Sequence, residues 1–389
     1  MEAFEMVVCD LNRRQFAMLG AALAAAWRTP AEAEKGSTML YPREELTEAA
    51  GYPALVRFEP GRPELPVVVF VTGGGVLGRV AYGPPGARAA DFLCHWLHAE
   101  GFASLVLSYP IDSRGVFDAA FPQFSITDWA EQSAEIIARY VDRNGLPANA
   151  IVLGWSMAGR IAEPLHAALR RKGKGIELFV AMAAASALPN TLPGLDQLKP
   201  AASGLAAIKG AYLDWLLECL AGQNSAAGHL VLDADGFTRE MTGDFPVGLA
   251  ASAMRYRNGA FVSDPAGDAR EVGTAQYRSF PPLALMTHAS PIDARHALTD
   301  HSTWGVYITQ QLCEALVFSR ADDLAALPSE KWALLVEQVR EAAQRLSATL
   351  PGNHMFFVGE NGARRTVQRL KLLRQTAADV AGEISRLMT

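Results

Sequence analysis

The sequence predicts an α/β fold in which a mainly parallel central sheet is flanked by helices and carries an inserted, mostly helical cap. Two observations support this prediction. Short apolar runs rich in β-branched residues alternate with longer helix-like segments, an order typical of parallel strands covered by helices on both faces. Between about residues 189 and 280 the alternation gives way to helix-like pieces and Gly-, Asp- and Asn-rich turns, which we interpret as the cap.

The predicted elements follow one another in a strand and helix rhythm. Strands are expected at 65–71, 102–109, 150–153, 176–185 and 282–287, and helices at 87–100, 127–143, 157–171, 304–319, 329–348 and 364–387. The run 65–71 is apolar on both faces, as expected for a buried strand. Thr127 or Asp128 is expected to cap the helix over 127–143.

The composition limits the kinds of protein that this chain can be. With 389 residues, of which 50% are hydrophobic and 20% charged, the chain can bury a large core in one domain with an insertion. Its net charge is -6 and no run of Lys and Arg concentrates positive potential, so nucleic acid is not expected as a partner. Beyond the N-terminal segment, charges, Pro or Gly interrupt every apolar stretch before it reaches the roughly 20 residues that span a bilayer. No transmembrane segment is therefore predicted in the mature chain.

The N-terminus resembles a twin-arginine export signal. Arg13 and Arg14 precede a short alanine-rich stretch over 17–27, which is the pattern of such signals. We therefore expect a signal segment at 1–33, a main domain at 34–389 and a periplasmic or secreted protein. Acidic residues ahead of the arginines favour the alternative, an amphipathic helix of a cytoplasmic protein.

The stretch Gly154-Trp155-Ser156-Met157-Ala158 carries the clearest functional signal. It follows an apolar strand-like run and precedes a helix-like segment. Small residues at Gly154 and Ala158 suit a sharp strand-to-helix turn that exposes Ser156 as a nucleophile and aims the Met157 amide at developing negative charge. The alternative is an ordinary turn after a short buried strand.

In its element order and serine motif the chain resembles the α/β-hydrolase superfamily of esterases and lipases. Members of that family place nucleophile, acid and histidine in this chain order. The resemblance implies that Ser156 is the nucleophile, that Asp293 after a late strand is the acid, and that His354 before the last helix is the base. Asp300 is the alternative acid, because the segment between Asp293 and His354 is long for the family.

The resemblance also implies an oxyanion hole formed by backbone amides. The glycines after the first buried strand resemble the oxyanion loop of esterases, and Gly74 is the expected donor beside Met157, with Gly75 as the alternative. The same loop contains the spacing Gly73-x-Gly75-x-x-Gly78 of a dinucleotide-binding fingerprint. No helix follows directly and no acidic residue ends the next strand, so no nicotinamide or flavin cofactor is expected.

Metal chemistry is not expected either. His288, His296 and His301 crowd the region near Asp293, but their spacing does not place two ligands at i and i+4 with an acidic partner. These histidines are expected to line the pocket or its rim. The cysteines that lie beyond the signal segment, Cys94, Cys219 and Cys313, match no metal motif, and the sequence does not select a disulfide pair.

The sequence thus predicts a serine hydrolase that cleaves a carboxylic ester through an acyl-enzyme. Amidase, thioesterase and acyltransferase activities are alternatives on the same scaffold, and a catalytically silent binding module is an alternative of another class. The expected partner is a small-molecule ester with an apolar acyl or aromatic group. Its pocket is expected to involve Tyr212, Trp215, Leu216, Phe237, Phe117, Phe121 and Phe124, which are equally suited to core packing.

Overall fold

A computed structural model describes residues 39–113, 115–189, 198–320 and 324–389. The strands are β1 (Glu44–Ala49), β2 (Tyr52–Glu59), β3 (Val68–Val71), β4 (Ser104–Ser108), β5 (Asn149–Trp155), β6 (Gly175–Met182), β7 (Met254–Arg257), β8 (Ala260–Ser263), β9 (Leu283–His288) and β10 (Ser347–Leu350). The helices are α1 (Leu93–Ala99), α2 (Ile126–Arg143), α3 (Ala162–Arg171), α4 (Ala211–Ala227), α5 (Ala234–Glu240), α6 (Pro265–Glu271), α7 (Ala294–Leu312), α8 (Ser329–Arg345) and α9 (Glu360–Leu387). The expected signal segment at 1–33 lies outside the described residues.

Eight strands form one central sheet in the order β1-β2-β4-β3-β5-β6-β9-β10. β2 pairs antiparallel with both β1 and β4, whereas the pairs from β4 through to β10 are all parallel. The predicted fold class, a mainly parallel central sheet flanked by helices, is confirmed.

The middle of the sheet is apolar on both faces and positions the functional site. All residues of β3 are buried. This is typical of central parallel strands, because helices cover both faces of the sheet. β3 lies between β4 and β5. The carboxyl ends of parallel strands meet at one edge of a sheet, so Thr72, Tyr109 and Ser156, which directly follow these three strands, lie at the same edge.

Several elements differ from the sequence-based prediction. β1 and β2 were not predicted; they form the antiparallel edge of the sheet. The helix expected over 329–348 ends at Arg345, and the residues after it form β10 beside β9. α7 begins at Ala294, well before the expected start at 304.

The start of α2 also differs from the expectation that Thr127 or Asp128 caps it. Ser125 is the N-cap: its hydroxyl accepts from the Asp128 amide, and the Asp128 side chain accepts from the Ser125 amide. The two residues form a capping box, in which the third helical residue returns the hydrogen bond of the cap.

The segment between β6 and β9 contains α4, α5, α6 and a small hairpin of β7 and β8. It is mostly helical where the structure describes it, and its assignment as a cap over 189–280 stays a prediction.

Cys94, Cys219 and Cys313 are free thiols. Among the described helices, none combines the length and the hydropathy that crossing a bilayer requires.

Candidate active site

Ser156 lies at a sharp turn between β5 and the helix that follows it. β5 ends at Trp155, and a 3-10 helix over Ser156–Ile161 leads into α3. The backbone φ of Ser156 is +57°, a left-handed conformation that costs a residue with a Cβ about 1–2 kcal/mol. The chain therefore turns as a nucleophile elbow requires, with the serine at the carboxyl edge of the sheet.

Glycines around Ser156 are required by close packing. A Cβ added to Gly154 would lie 2.4 Å from the ring of Phe179 on β6, and one added to Gly73 would lie 2.7 Å from the Cβ of Ser156. Both distances are far shorter than van der Waals contact. The glycine loop after β3 thus packs directly against the serine, and this approach is possible only without side chains at Gly73 and Gly154.

His354 and Asp293 are hydrogen-bonded to each other. The distance between His354 Nδ1 and Asp293 Oδ2 is 2.8 Å, and both side chains are buried. Nε2 of His354 is buried and has no hydrogen-bond partner among the described residues. A neutral imidazole that donates through Nδ1 keeps a lone pair on Nε2, so this nitrogen is able to accept a proton.

Trp155 connects the histidine loop to the elbow. Its Nε1 donates to the backbone oxygen of His354 over 2.9 Å, and its ring centroid lies 5.3 Å from that of the His354 imidazole. Because Trp155 directly precedes Ser156, these contacts hold the imidazole and the serine at the same end of the sheet.

His288 is a second imidazole bound to the same carboxylate. Its Nε2 lies 3.0 Å from Asp293 Oδ2, and its Nδ1 accepts from the backbone amide of Ser290. Since an amide N–H can only donate, the proton of the His288 ring is on Nε2, which therefore donates to Asp293. His288 is buried at the end of β9, where it orients the carboxylate; that it lines the pocket or its rim stays a prediction.

Asp300, the alternative acid, is engaged elsewhere. Its Oδ1 lies 2.9 Å from His296 Nδ1, and its Oδ2 accepts from the Thr287 hydroxyl over 2.9 Å. The ring of His296 in turn lies 5.2 Å from that of His354, centroid to centroid. The structure therefore brings Asp293, and not Asp300, to the candidate base. His301 is exposed and bonds to Thr349.

The hydrogen bonding of His288, Asp293 and His354 does not suit a cation. One side-chain atom from each of these residues lies within 4.8 Å of the others, which is near enough for shared metal ligands. Metal binding requires a lone pair on the coordinating nitrogen, but His288 Nε2 carries the ring proton because Ser290 donates to Nδ1. The cluster is accounted for as one carboxylate held by two imidazoles.

The protonation states also suit proton transfer. Burial alone would raise the pKa of Asp293, but the charge and hydrogen bond of His354, with the hydrogen bond of His288, hold that pKa well below its usual range. Burial lowers the pKa of His354; the Asp293 carboxylate opposes this effect, and His296 and His288 add to it. Asp293 is thus ionised, and His354 is neutral, near neutral pH.

The glycine loop after β3 is held by two tyrosine hydroxyl groups. Tyr109 donates to the Gly73 carbonyl oxygen and accepts from the Gly75 amide, both over 2.9 Å. Tyr212 of α4 donates to the Gly74 carbonyl oxygen over 3.0 Å. The Gly75 amide, expected as an alternative oxyanion donor, is therefore occupied. The Gly74 amide makes no hydrogen bond within the described residues.

Helix α4 fixes the loops that carry the acid and the histidine. The ring centroid of Trp215 lies 4.7 Å from that of His354, and its Nε1 donates to the Ile292 carbonyl oxygen over 3.1 Å. Further along the helix, Gln223 Nε2 donates to Asn353 Oδ1 over 3.0 Å. The segment between β6 and β9 therefore forms one wall of the site.

The apolar residues expected to line a substrate pocket lie in different places. Tyr212 and Trp215 contact the site, as described above. The others pack into the core or against it: Leu216, Phe237, Phe124, Phe117 and Phe121. Most of this set therefore serves the packing of the fold.

Comparison with known proteins gives only distant structural likeness. No family model and no curated protein matches the chain. A thermophilic esterase from Thermogutta terrifontis is 14% identical and covers 86% of this chain and 99% of its own, with a TM-score of 0.46. A soluble variant of the monoglyceride lipase of Saccharomyces cerevisiae is 12% identical and covers 91% of this chain and 99% of its own, also with a TM-score of 0.46. At these levels the similarity does not bear on the reaction or the substrate.

Proposed function

We propose that this chain is a serine hydrolase that cleaves carboxylic esters, with Ser156 as nucleophile, His354 as general base and Asp293 as the carboxylate that orients His354. The observation that carries the proposal is the buried hydrogen bond from His354 Nδ1 to Asp293 Oδ2, because it leaves Nε2 of His354 free to take a proton. A serine hydroxyl is a poor nucleophile near neutral pH without such a base.

Acylation begins when Ser156 Oγ attacks the ester carbonyl carbon and its proton passes to His354 Nε2. The carbonyl electrons move onto oxygen, where the amides of Gly74 and Met157 bind the resulting negative charge. Met157 is the second residue of a helix, and amides in the first turn have no partner within their helix. Losing one such donor typically costs about 3 kcal/mol in transition-state stabilisation.

The tetrahedral intermediate then collapses, and the bond between the carbonyl carbon and the alcohol oxygen breaks. His354 gives its proton to the departing alkoxide, which leaves as the alcohol, and Ser156 remains acylated. Water repeats the sequence with His354 again as base, so that the carboxylic acid is released and the serine is regenerated. Asp293 stabilises the imidazolium in both halves and holds the required tautomer.

Two aromatic side chains in the wall of the site support the proposed substrate class. Tyr212 and Trp215 stack with ring centroids 5.7 Å apart, and Trp215 also covers the imidazole of His354. These aromatic faces favour an apolar acyl or aromatic group on a small-molecule ester. None of the steps requires a cofactor. Amides, thioesters and acyl transfer pass through the same intermediate, so they remain alternatives that a substrate panel separates.

The first experiment measures hydrolysis of p-nitrophenyl esters of increasing chain length, with thioester and amide analogues, by the wild type and Ser156→Ala. We expect hydrolysis to be fastest with esters and to fall about 10⁴-fold or more in the variant. Ser252→Ala is the control, because Ser252 is also buried and its hydroxyl has no hydrogen-bond partner within the described residues. Unchanged hydrolysis in Ser156→Ala would refute the proposal, and preference for a thioester or amide would change the assigned class.

We also propose that residues 1–33 act as a twin-arginine export signal and that the mature protein is periplasmic or secreted. The paired residues Arg13 and Arg14 support this proposal. Replacing both with lysine should retain the full-length protein in the cytoplasm. An unchanged distribution between cytoplasm and periplasm would favour the cytoplasmic alternative.

A further inference from the structure

From the carbonyl of Gly73 to the carbonyl of Gly75, every backbone C=O and N–H group of the glycine loop except one has a hydrogen-bond partner within the described residues. The carbonyl oxygens of Gly73 and Gly74 accept from Tyr109 and Tyr212 respectively. The Gly75 amide donates to Tyr109, and the Gly75 carbonyl oxygen accepts from an amide of the β6–β9 segment. The amide of Gly74 is the one remaining group, and it has no hydrogen-bond partner within the described residues.

The Tyr109 hydroxyl acts as a bridge across this loop. It donates its proton to the Gly73 carbonyl oxygen and uses a lone pair for the Gly75 amide, which is the combination that a phenol can supply. The ring is buried, with its centroid 4.8 Å from that of Trp129 in an edge-to-face contact. Burial raises the pKa of Tyr109 above its usual range, so the hydroxyl keeps the proton that it donates.

The planarity of the peptide bond converts this bridge into a direction for the Gly74 amide. In a trans peptide the C=O and the following N–H point in opposite directions, and the described chain contains no cis peptide bond. Because the Gly73 carbonyl is directed at Tyr109, the N–H of Gly74 is directed away from it. Gly73 lies against Ser156, since a Cβ added to Gly73 would come within 2.7 Å of the Ser156 Cβ and 3.1 Å of its Oγ. The peptide that carries the Gly74 amide therefore adjoins the serine.

We infer that Tyr109 is a positioning residue for the oxyanion hole: its hydroxyl holds the 73–74 peptide so that the amide of Gly74, rather than that of Gly75, binds the developing charge. The inference rests on the proposed hydrolase function and adds to it a residue that does not touch the substrate. Tyr212 supports the same geometry from α4 by holding the next carbonyl.

Removing only the bridging oxygen tests the inference. Tyr109→Phe keeps the buried ring but frees the Gly73 carbonyl and the Gly75 amide, so the loop loses the bonds that fix its orientation. Tyr307→Phe is a matched control. Tyr307 is a buried residue of α7, and its hydroxyl donates to the backbone carbonyl oxygen of Thr274 rather than to the glycine loop. Both variants are assayed for kcat, KM and thermal stability with the best p-nitrophenyl ester.

A trifluoromethyl ketone supplies the readout that a purely structural role would not affect. It adds to the serine to form a tetrahedral oxyanion adduct, so its inhibition constant reports on the oxyanion hole. For Tyr109→Phe we expect kcat to fall about 10-fold to 100-fold, KM to stay within about twofold of wild type, and the inhibition constant to rise by the factor by which kcat/KM falls. Tyr307→Phe should leave all three unchanged.

Three outcomes would overturn the inference: an unchanged kcat in folded Tyr109→Phe, an effect confined to KM, or an inhibition constant that does not follow kcat/KM. If Tyr109→Phe does not fold, amide NMR of the wild type decides. Adduct formation should shift the Gly74 amide proton downfield and leave the Gly75 amide bonded to Tyr109, and the reverse pattern would contradict the inference. Failure of the hydrolase proposal itself is distinguished because Ser156→Ala would then retain activity.

Discussion

Two histidine–aspartate pairs lie side by side at the carboxyl edge of the sheet, and they differ in what surrounds them. His354 and Asp293 are 61 residues apart in sequence and come from separate loops, whereas His296 and Asp300 are 4 residues apart on α7. Both bonds are short and both pairs are buried. Each carboxylate has a second partner, His288 for Asp293 and Thr287 for Asp300. Nε2 of His354 has no hydrogen-bond partner within the described residues, and the His354 backbone oxygen accepts from Trp155 of the elbow.

A short, buried hydrogen bond is therefore not enough to assign a catalytic role to a His–Asp pair. Two observations distinguish the first pair: His354 contacts Trp155, which directly precedes Ser156, and the pKa of His354 is lowered whereas that of His296 is raised. The second pair links α7 to β9, and its imidazole contributes charge near the first. Predictions that separate the two pairs therefore test the assignment of roles directly.

The largest difference is expected between Asp293→Asn and Asp300→Asn. An asparagine at 293 would donate to Nδ1 of His354 through its amide, which moves the ring proton to Nε2 and removes the lone pair that the base needs. We expect kcat for ester hydrolysis to fall about 10⁴-fold. Asp300→Asn should change kcat less than about tenfold, because Asp300 does not contact the base. A larger loss of activity in Asp300→Asn would reverse the assignment of the two pairs.

The second difference concerns stability. Asp300 accepts from both His296 and Thr287 in a buried setting, so Asp300→Asn should lower the free energy of unfolding by about 1–3 kcal/mol. Urea denaturation followed by circular dichroism measures this change. Thr287→Val removes one of the two bonds and should lower the stability by a smaller amount. If Asp300→Asn is as stable as wild type, the second pair does not serve the fold.

The smallest difference is a shift in the pH profile. Burial and the charge of Arg295 act to lower the pKa of His296, whereas the carboxylates of Asp300 and Asp293 act to raise it. The net effect is a raised pKa. His296 is therefore positively charged at mildly acidic pH, and it lowers the pKa of His354. Activity requires neutral His354, so it falls as the pH drops through that pKa.

Removing the charge should raise the pKa of His354. The acid limb of kcat/KM should therefore move to higher pH in His296→Gln, with little change on the plateau. The control is His301→Gln, which removes an exposed imidazole from the same helix and should leave the limb in place. A shift to lower pH, or an equal shift in both variants, would contradict the electrostatic coupling of the two pairs.

The sequence predicted the buried parallel strands well, because their β-branched apolar runs leave few alternatives. It did not predict β1, in which three glutamates leave no apolar pattern, or β2, in which Pro53 and Arg57 bound an apolar run of only three residues. It extended the helix before β10 over the first two residues of that strand, because four residues are too few to carry a period of their own. The start of α7 was missed because His, Asp and Thr in its first turns hide the helical pattern.

Chain order was enough to predict Ser156, Asp293 and His354 as candidates, but not the partners that separate Asp293 from Asp300. Those partners depend on the packing of α7 against β9, which no local pattern encodes. Tyr109 was missed for a related reason. The available signal was a polar hydroxyl directly after β4, next to the strand that carries the glycine loop, and recognising it requires knowledge of the strand order.

Labelling with a fluorophosphonate probe is the most direct test that Ser156 is activated by His354. We expect one covalent adduct per chain, located by mass spectrometry on the peptide that contains Ser156, with no adduct in Ser156→Ala and much slower labelling in His354→Asn. Absence of an adduct on Ser156 in wild-type protein that circular dichroism shows to be folded, or equal labelling rates in wild type and His354→Asn, would contradict it.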